Sequence, residues 1–167
     1  MAIDAVRIEP EDLTAEKWAP FGWLPVADTD PTDGRERLTF DWDDVHVNLI
    51  GHTLDEVPVI TGGLRCQELF RHMTHTQALM AMDHPAVIVV APAGADPGSA
   101  AGARSIRAFR LPVLLPVVLH RGTWHWGPYP VGSDSVRLFN VQGLRYREDN
   151  DRVDLLSAGA PIDVGLD

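Results

Sequence analysis

Short runs rich in β-branched and aromatic residues, separated by glycine, proline and aspartate, dominate this chain. Almost no helical periodicity lies between them. Strands that short and that numerous are typical of a β-sandwich or small barrel, so we predict a mainly all-β fold. The predicted strands are Val45–Ile50, Gln67–Arg71, Ala78–Met82, Ala86–Val90, Ile106–Phe109 and Val136–Val141.

One short helix is predicted near the N-terminus, over residues 10–19. Thr14 is its predicted N-cap, and Pro20 and Gly22 end it. The polar segment 28–36 is predicted to be a loop.

The organisation predicted from these elements is a single domain over 1–167. Its parts are an N-terminal helix and loop (10–36), a barrel (about 40–147) and a short C-terminal tail (148–167). The segment 93–104 is rich in glycine and alanine. It is interpreted as a surface loop, because neither half of the chain alone has enough strands for a closed core.

Composition and charge exclude several classes of protein. The formal charge of −10 argues against nucleic-acid and anionic-membrane partners, which select basic patches. The single cysteine excludes an intrachain disulfide and a cysteine-rich zinc site. No apolar signal segment begins the sequence, and the longest apolar stretch, 111–119, is too short to span a bilayer. We therefore expect a cytoplasmic protein.

Four of the seven histidines fall in two short stretches. In the stretch 120–125 (HRGTWH), a tight glycine turn precedes a strand whose first residue, His125, can point into a barrel. In the stretch 70–77 (FRHMTHTQ), alternation along a strand sends Phe70 and His72 to the same face.

The remaining histidines are less informative. His46, His52 and His84 stand alone and are predicted to be surface or structural histidines. His75 lies in a turn and is predicted to face solvent.

The two histidine stretches resemble the paired motifs of the cupin fold, and a longer part of the chain resembles the ureidoglycolate lyase family. Residues 14–22 (TAEKWAPFG) are similar to that family's opening LT-x-E-x-F-x-P-F-G. The segment 71–78 (RHMTHTQA) is similar to its E-R-H, four residues, Q-A, while 106–109 (IRAF) and 120–125 match two later motifs. The likeness runs in order from about residue 6 to about residue 155.

The resemblance implies a cupin-type double-stranded β-helix, or jelly-roll barrel, that forms a homodimer. It also implies a carbon–nitrogen lyase that splits ureidoglycolate, or a related small carboxylic acid, into glyoxylate and urea. The cofactor it implies is either none or a weakly bound divalent ion such as nickel, zinc or manganese.

The site residues implied by the motifs fall into three overlapping sets. The catalytic set is His72, Gln77, His120 and His125, and the same His72, Gln77 and His125 are the candidate metal ligands. The candidate substrate contacts are Phe70, Arg107, Phe109, Arg121 and Trp124.

Histidine suits a reaction that takes a proton from a hydroxyl and delivers one to a departing nitrogen, because its pKa lies near neutral pH. We assign His125 as base, His72 as acid or positioning group, and Arg107 as clamp for a carboxylate. The alternatives are two core histidines bonded to backbone groups, Gln77 as an amide tying one strand to the next, and Arg107 in an ion pair.

Two departures from the family pattern keep other functions open. Phe70 stands where the family has a glutamate, which removes the anionic metal ligand. The segment 137–143 (RLFNVQG) stands where the family has D-F-L-x-x-D-R. One alternative is a metal-free cupin that isomerises, decarboxylates or eliminates on a bulkier natural-product or catabolic intermediate; another is a non-enzymatic small-molecule-binding cupin.

Overall fold

The structure is a computed structural model that describes residues 5–28 and 34–166. Within these residues it contains two four-residue helices, α1 (Ala15–Trp18) and α2 (Ala100–Ala103), and a 3₁₀ turn at Leu54–Glu56. The strands are β1 (Val6–Ile8), β2 (Glu11–Asp12), β3 (Gly22–Trp23), β4 (Val45–Thr53), β5 (Val59–Ile60), β6 (Gly63–Cys66), β7 (Glu68–Arg71), β8 (Gln77–Ala81), β9 (Ala86–Ala91), β10 (Arg107–Leu111), β11 (Val117–Leu119), β12 (Trp124–Pro130), β13 (Ser135–Gly143), β14 (Asp151–Asp154) and β15 (Ile162–Gly165).

The described strands form three sheets. A six-stranded sheet has the order β14-β7-β12-β9-β10-β2, and a five-stranded sheet has the order β3-β11-β8-β13-β4. A smaller sheet, β1-β15-β6-β5, completes the fold. The prediction of a mainly β, cupin-type fold is confirmed, but within residues 5–28 and 34–166 the sheets stay separate and do not close into a barrel.

The six-stranded sheet is the middle layer, and its strand β9 is buried on both faces. Ile88 and Val90 pack into one core with residues of the five-stranded sheet. Val87 and Val89 point the opposite way, into a second core shared with the small sheet. Burial on both faces explains why this strand is a continuous apolar run instead of an alternating one.

All six predicted strands are present, as β4, β7, β8, β9, β10 and β13, with ends displaced by a few residues. Thr14 is the N-cap of α1, as predicted, and its side chain accepts a hydrogen bond from the backbone N–H of Lys17. The helix prediction is wrong before Thr14. Residues 11–12 instead pair in parallel with Phe109 and Arg110 of β10.

The prediction that 148–167 is only a short tail is wrong, because this segment contributes β14 and β15. β14 pairs with β7, and β15 pairs with both β1 and β6. Leu155, Ile162 and Val164 are fully buried in the second core. Of the predicted loop 28–36, residues 29–33 lie outside the described residues.

None of the helices in the described part of the chain is long and apolar enough to cross a membrane.

Candidate functional site

A cavity of about 310 Å³ lies between the two large sheets. The five-stranded sheet contributes Asn48, Ile50, His52, Gln77 and Gln142 to its wall. The facing side contributes Phe70, His72, His125, Trp126 and Tyr129, and Tyr146 and Asn150 line it from the segment between β13 and β14.

Strand alternation explains how these side chains come together. In β4, residues 46, 48, 50 and 52 are less exposed than their neighbours, so Asn48, Ile50 and His52 share the inner face. Phe70 of β7 lies directly opposite His125 of β12 in an antiparallel pair. Residues opposite each other in such a pair point to the same face, which places both on the cavity.

The orientation of His72 is fixed by a backbone carbonyl. Its Nδ1 lies 2.7 Å from the carbonyl oxygen of Asp149, which can only accept, so Nδ1 carries the proton. The carboxylate of Asp149 also accepts hydrogen bonds from the backbone N–H groups of Met73 (3.0 Å) and Thr74 (2.6 Å). Asp149 therefore holds both the ring of His72 and the turn that follows it.

His125 is held in the same way. Its Nδ1 donates to the carbonyl oxygen of Thr123 across 3.1 Å. The turn before it requires Gly122, whose φ of 75° lies in the region that favours glycine. The rings of His72 and His125 are 5.4 Å apart between centroids. In the neutral form, each ring keeps its Nε2 lone pair for a ligand.

Burial keeps these imidazoles neutral. It lowers the pKa of His125 to about 3, and the nearby His72 and His75 act in the same direction. Burial also lowers the pKa of His72, although Asp149 opposes the shift. Removing a group from water disfavours its charged form. The pair is therefore set up to accept a proton and pass it on, not to hold one.

His75 is buried, so the prediction that it faces solvent is wrong. Its ring stacks on His72 with centroids 4.7 Å apart, and Phe40 stacks on its other side at 6.1 Å. Burial, and then His72, lower its pKa to about 4. It does not line the cavity; it forms a second layer behind His72.

A chain of three buried amides and one half-buried amide forms the floor of the cavity. Gln77 Nε2 donates to Asn140 Oδ1 at 2.8 Å and to Gln142 Oε1 at 3.2 Å. Asn140 Nδ2 in turn donates to Asn48 Oδ1 at 2.7 Å. Gln77 thus ties β8 to β13, which was one of the alternatives predicted from the sequence. It also lines the cavity.

Aromatic side chains line the wall of the cavity that faces this amide floor. The rings of Trp126 and Tyr129 are 4.4 Å apart, and the ring of Tyr146 lies 6.5 Å from that of His72. Together with Phe70 they make this wall largely apolar.

Several predicted substrate contacts lie elsewhere, which corrects the sequence analysis. Arg107 is bonded through Nε and Nη2 to the carboxylate of Glu11, the ion-pair alternative. Phe109 is fully buried between Trp18 and Phe21. Neither lines the cavity, so Arg107 does not clamp a carboxylate there.

Arg121, Trp124 and His120 also lie outside the cavity. Arg121 bonds to Thr39 Oγ1 at 2.7 Å and pairs with a surface aspartate, and Trp124 Nε1 donates to the carbonyl oxygen of Ala95 at 3.1 Å. His120 lines a different pocket, where its ring is 5.5 Å from that of Trp23. The structure therefore brings together Phe70, His72, Gln77 and His125 of the predicted site.

The donor set does not fit a tightly held divalent ion. His72 and His125 offer one neutral nitrogen each, and the side of the site where the family pattern has an acid carries the phenyl ring of Phe70. Neutral ligands leave the ion's charge uncompensated. Among the described residues, no group of three or more histidine, cysteine, aspartate or glutamate side chains is arranged to hold a metal.

Most of the residues that line the cavity were not among those predicted from the sequence. Asn48 and Gln142 gave no motif, although their inward positions follow from alternation once the register of β4 and β13 is known. His52 was set aside as an isolated histidine, yet it lines the cavity with its Nδ1 2.6 Å from Glu56 Oε2. Asp149, which positions His72, lies 77 residues away in sequence.

The comparison with known families agrees with this geometry. Residues 43–159 match the family model described as Ureidoglycolate lyase, a span of more than half of the chain that contains both histidine stretches. The chain belongs to the ureidoglycolate lyase family. The resemblance drawn from the motifs is thereby confirmed, and the family description indicates an enzyme of the lyase class.

Two further comparisons add nothing to the assignment to the ureidoglycolate lyase family. Curated proteins give no match to the sequence. A crystal structure of a dTDP sugar isomerase from Desulfovibrio desulfuricans G20 aligns over 82% of this chain and 76% of its own, with 12% identity and a TM-score of 0.43. Nothing about function follows from a likeness at that level.

Proposed function

We propose that this protein is a carbon–nitrogen lyase that converts ureidoglycolate, or a close ureido analogue, into glyoxylate and urea. The observation that carries the proposal is the pair of buried, neutral imidazoles of His72 and His125, oriented alike by backbone carbonyls and facing one cavity. Membership of the ureidoglycolate lyase family gives the class of reaction.

The reaction needs one proton to move and no net proton change. The proton leaves the substrate hydroxyl, the oxygen lone pair forms the new C=O bond, and the C–N bonding pair goes to the ureido nitrogen. The same proton then completes urea. We assign removal of the proton from the hydroxyl to Nε2 of His125. His72 is assigned to deliver it to the ureido nitrogen. Because burial disfavours an imidazolium, the proton must be passed on as the C–N bond breaks.

The remaining walls suit a small ureido compound. The amides of Gln77, Gln142 and Asn48 can exchange hydrogen bonds with a urea group, which has both N–H donors and a carbonyl acceptor. The aromatic wall gives the reacting carbon an apolar surrounding, in which polar contacts are stronger than in water.

A second function is favoured by one specific observation. The residues that line the described cavity include no arginine or lysine, while Phe70, Trp126 and Tyr129 make one wall apolar. A free carboxylate would meet no cationic partner there. A bulkier, less charged intermediate, processed without a metal by the same histidines, is the second candidate.

A substrate comparison tests the first function against the second. We expect purified protein to release urea from ureidoglycolate, measured by coupled urease assay, without added metal. A matched reaction with the amide of ureidoglycolate separates the two: faster cleavage of the uncharged amide favours the second candidate. Absence of urea from both compounds, with nickel, zinc or manganese supplied in turn, overturns the proposed lyase activity.

A further inference from the structure

One buried oxygen in the cavity floor has no hydrogen-bond partner. Gln77 is 6% exposed, and its Oε1 is among the buried side-chain atoms of the described residues that lack a partner. An acceptor buried without a donor costs about 1–3 kcal/mol relative to one that is satisfied. Such an atom next to a cavity calls for a donor from outside the chain, either an ordered water molecule or a ligand that displaces it.

The neighbouring amides determine which atom of the Gln77 side-chain amide is left without a partner. Gln77 Nε2 is committed to Asn140 and Gln142, and Asn140 Nδ2 is committed to Asn48. Each donor in the chain faces the next acceptor, so the series runs from Gln77 toward Asn48. With Asn140 and Gln142 oriented as they are, rotating the Gln77 amide alone would place its oxygen against two acceptor oxygens, so Oε1 is the open acceptor end of this arrangement.

The charges around Gln77 select an uncharged ligand group. The amides and the two neutral histidines bring no positive charge, and the described lining contains no arginine or lysine. A carboxylate placed against Gln77 Oε1 would set two acceptors against each other in a buried site. An amide nitrogen with N–H groups satisfies the same oxygen without bringing a charge.

We propose that Gln77 Oε1 is the subsite for the terminal nitrogen of a ureido or carbamoyl group, with Gln142 and Asn48 beside it as amide donors for the adjoining carbonyl. This deepens the proposed function and rests on it for the identity of the reaction. The ureido end lies on the amide floor, and the reacting carbon lies between His72 and His125. The carboxylate of an acidic substrate lies away from Gln77.

Binding of an unreactive ligand tests the subsite separately from turnover. Ureidoacetate lacks the hydroxyl group and cannot undergo the proposed cleavage. We expect calorimetry to show that it binds the wild-type protein, and that its analogue with two methyl groups on the terminal nitrogen binds at least about tenfold more weakly, about 1.4 kcal/mol. The methylated nitrogen has no N–H to donate.

A variant protein separates the lost hydrogen bond from the added bulk. In Gln77→Met, which has a similar volume but no amide, the two ligands should bind within about threefold of each other. Gln67→Met, at a position outside the cavity, should keep the full wild-type difference. Circular dichroism checks that both variants fold, and the comparison of the two ligands on the wild-type protein decides the matter if Gln77→Met does not fold.

The outcomes distinguish the subsite from the reaction. Equal binding of the two ligands to the wild-type protein, or no binding of ureidoacetate, overturns the subsite even if urea is released from ureidoglycolate. A tenfold difference that disappears in Gln77→Met supports the subsite. That same difference with no urea release overturns the proposed reaction while leaving the subsite in place.

Discussion

His72 donates through Nδ1 to the backbone carbonyl oxygen of Asp149, while the carboxylate of the same aspartate holds the backbone N–H groups of Met73 and Thr74. One residue thus fixes both the tautomer of the imidazole and the turn that carries it. A residue that hydrogen-bonds to a ligand-contacting side chain in this way fixes the orientation of that side chain.

Asp149→Ala should therefore damage the site more than the fold. We expect the free energy of unfolding to fall by about 1–3 kcal/mol, since the N–H groups of Met73 and Thr74 and the hydroxyl of Thr74 lose a charged acceptor. The kcat for urea release should fall at least about tenfold, because the turn no longer holds His72 in place. Asp151→Ala, which breaks an exposed ion pair with Arg71, should cost less than about 1 kcal/mol and leave kcat unchanged. An Asp149→Ala variant with normal kcat would contradict the positioning role.

The stability of the protein should depend on pH through its buried histidines. The pKa of His125 is lowered by burial, from 6.5 to about 3, so the unfolded chain binds more protons than the folded chain between these values. The contribution of His125 to the free energy of unfolding is therefore fully present above about pH 6.5, and it is lost as pH decreases toward 3. His125 alone should contribute a loss of about 1.4 kcal/mol between about pH 7.5 and about pH 5.5.

Urea denaturation of wild type and His125→Gln across this range measures the contribution. The variant should show a shallower fall in unfolding free energy by about that amount, and His84→Gln, at a half-exposed position, should follow the wild type. Parallel curves for wild type and His125→Gln would mean that the imidazole is not kept neutral by the fold.

Replacing Phe70 tests how the site treats metal ions. Phe70 lies opposite His125 in the β7–β12 pair, so Phe70→Glu brings a carboxylate to the face that carries the imidazole. We expect the variant to bind nickel, zinc or manganese at least about tenfold more tightly than the wild type. Phe70→Gln, without the charge, should gain little. Stoichiometric metal in the wild-type protein as purified would contradict this account of the donor set.

We also expect a homodimer. The outer face of β4, an edge strand of the five-stranded sheet, exposes Val45, Val47 and Leu49, each by more than half of its surface. Phe139 of β13 adjoins them in register with Leu49. Exposed apolar patches on a sheet edge mark association surfaces.

Sedimentation of wild type and Val47→Asp checks this expectation. The wild type should sediment as a dimer at micromolar concentration, and Val47→Asp should shift the species toward monomer. Leu114→Asp, at an equally exposed apolar residue outside that face, should leave the dimer intact. A wild-type monomer would rule out the expectation.

The sequence predicted the strands because period-two patterns and apolar runs are local properties, as in β9. It also predicted the cluster of Phe70, His72, Gln77 and His125, because spaced motifs carry that information. Arg107 was misplaced because nothing local shows that β2 supplies Glu11 as its partner. Asp149 and the amide floor depend on pairing between distant segments, so only the folded chain shows them.

The most direct test of the account is the rate of urea release from ureidoglycolate by the wild type and by His125→Ala. We predict measurable release by the wild type without added metal, and a kcat/KM lower by roughly a hundredfold or more in the folded variant, since general acid–base catalysis typically contributes that much. His84→Ala serves as the matched control and should retain the wild-type rate. A folded His125→Ala variant with full activity, or a wild-type protein that releases no urea, would contradict the account.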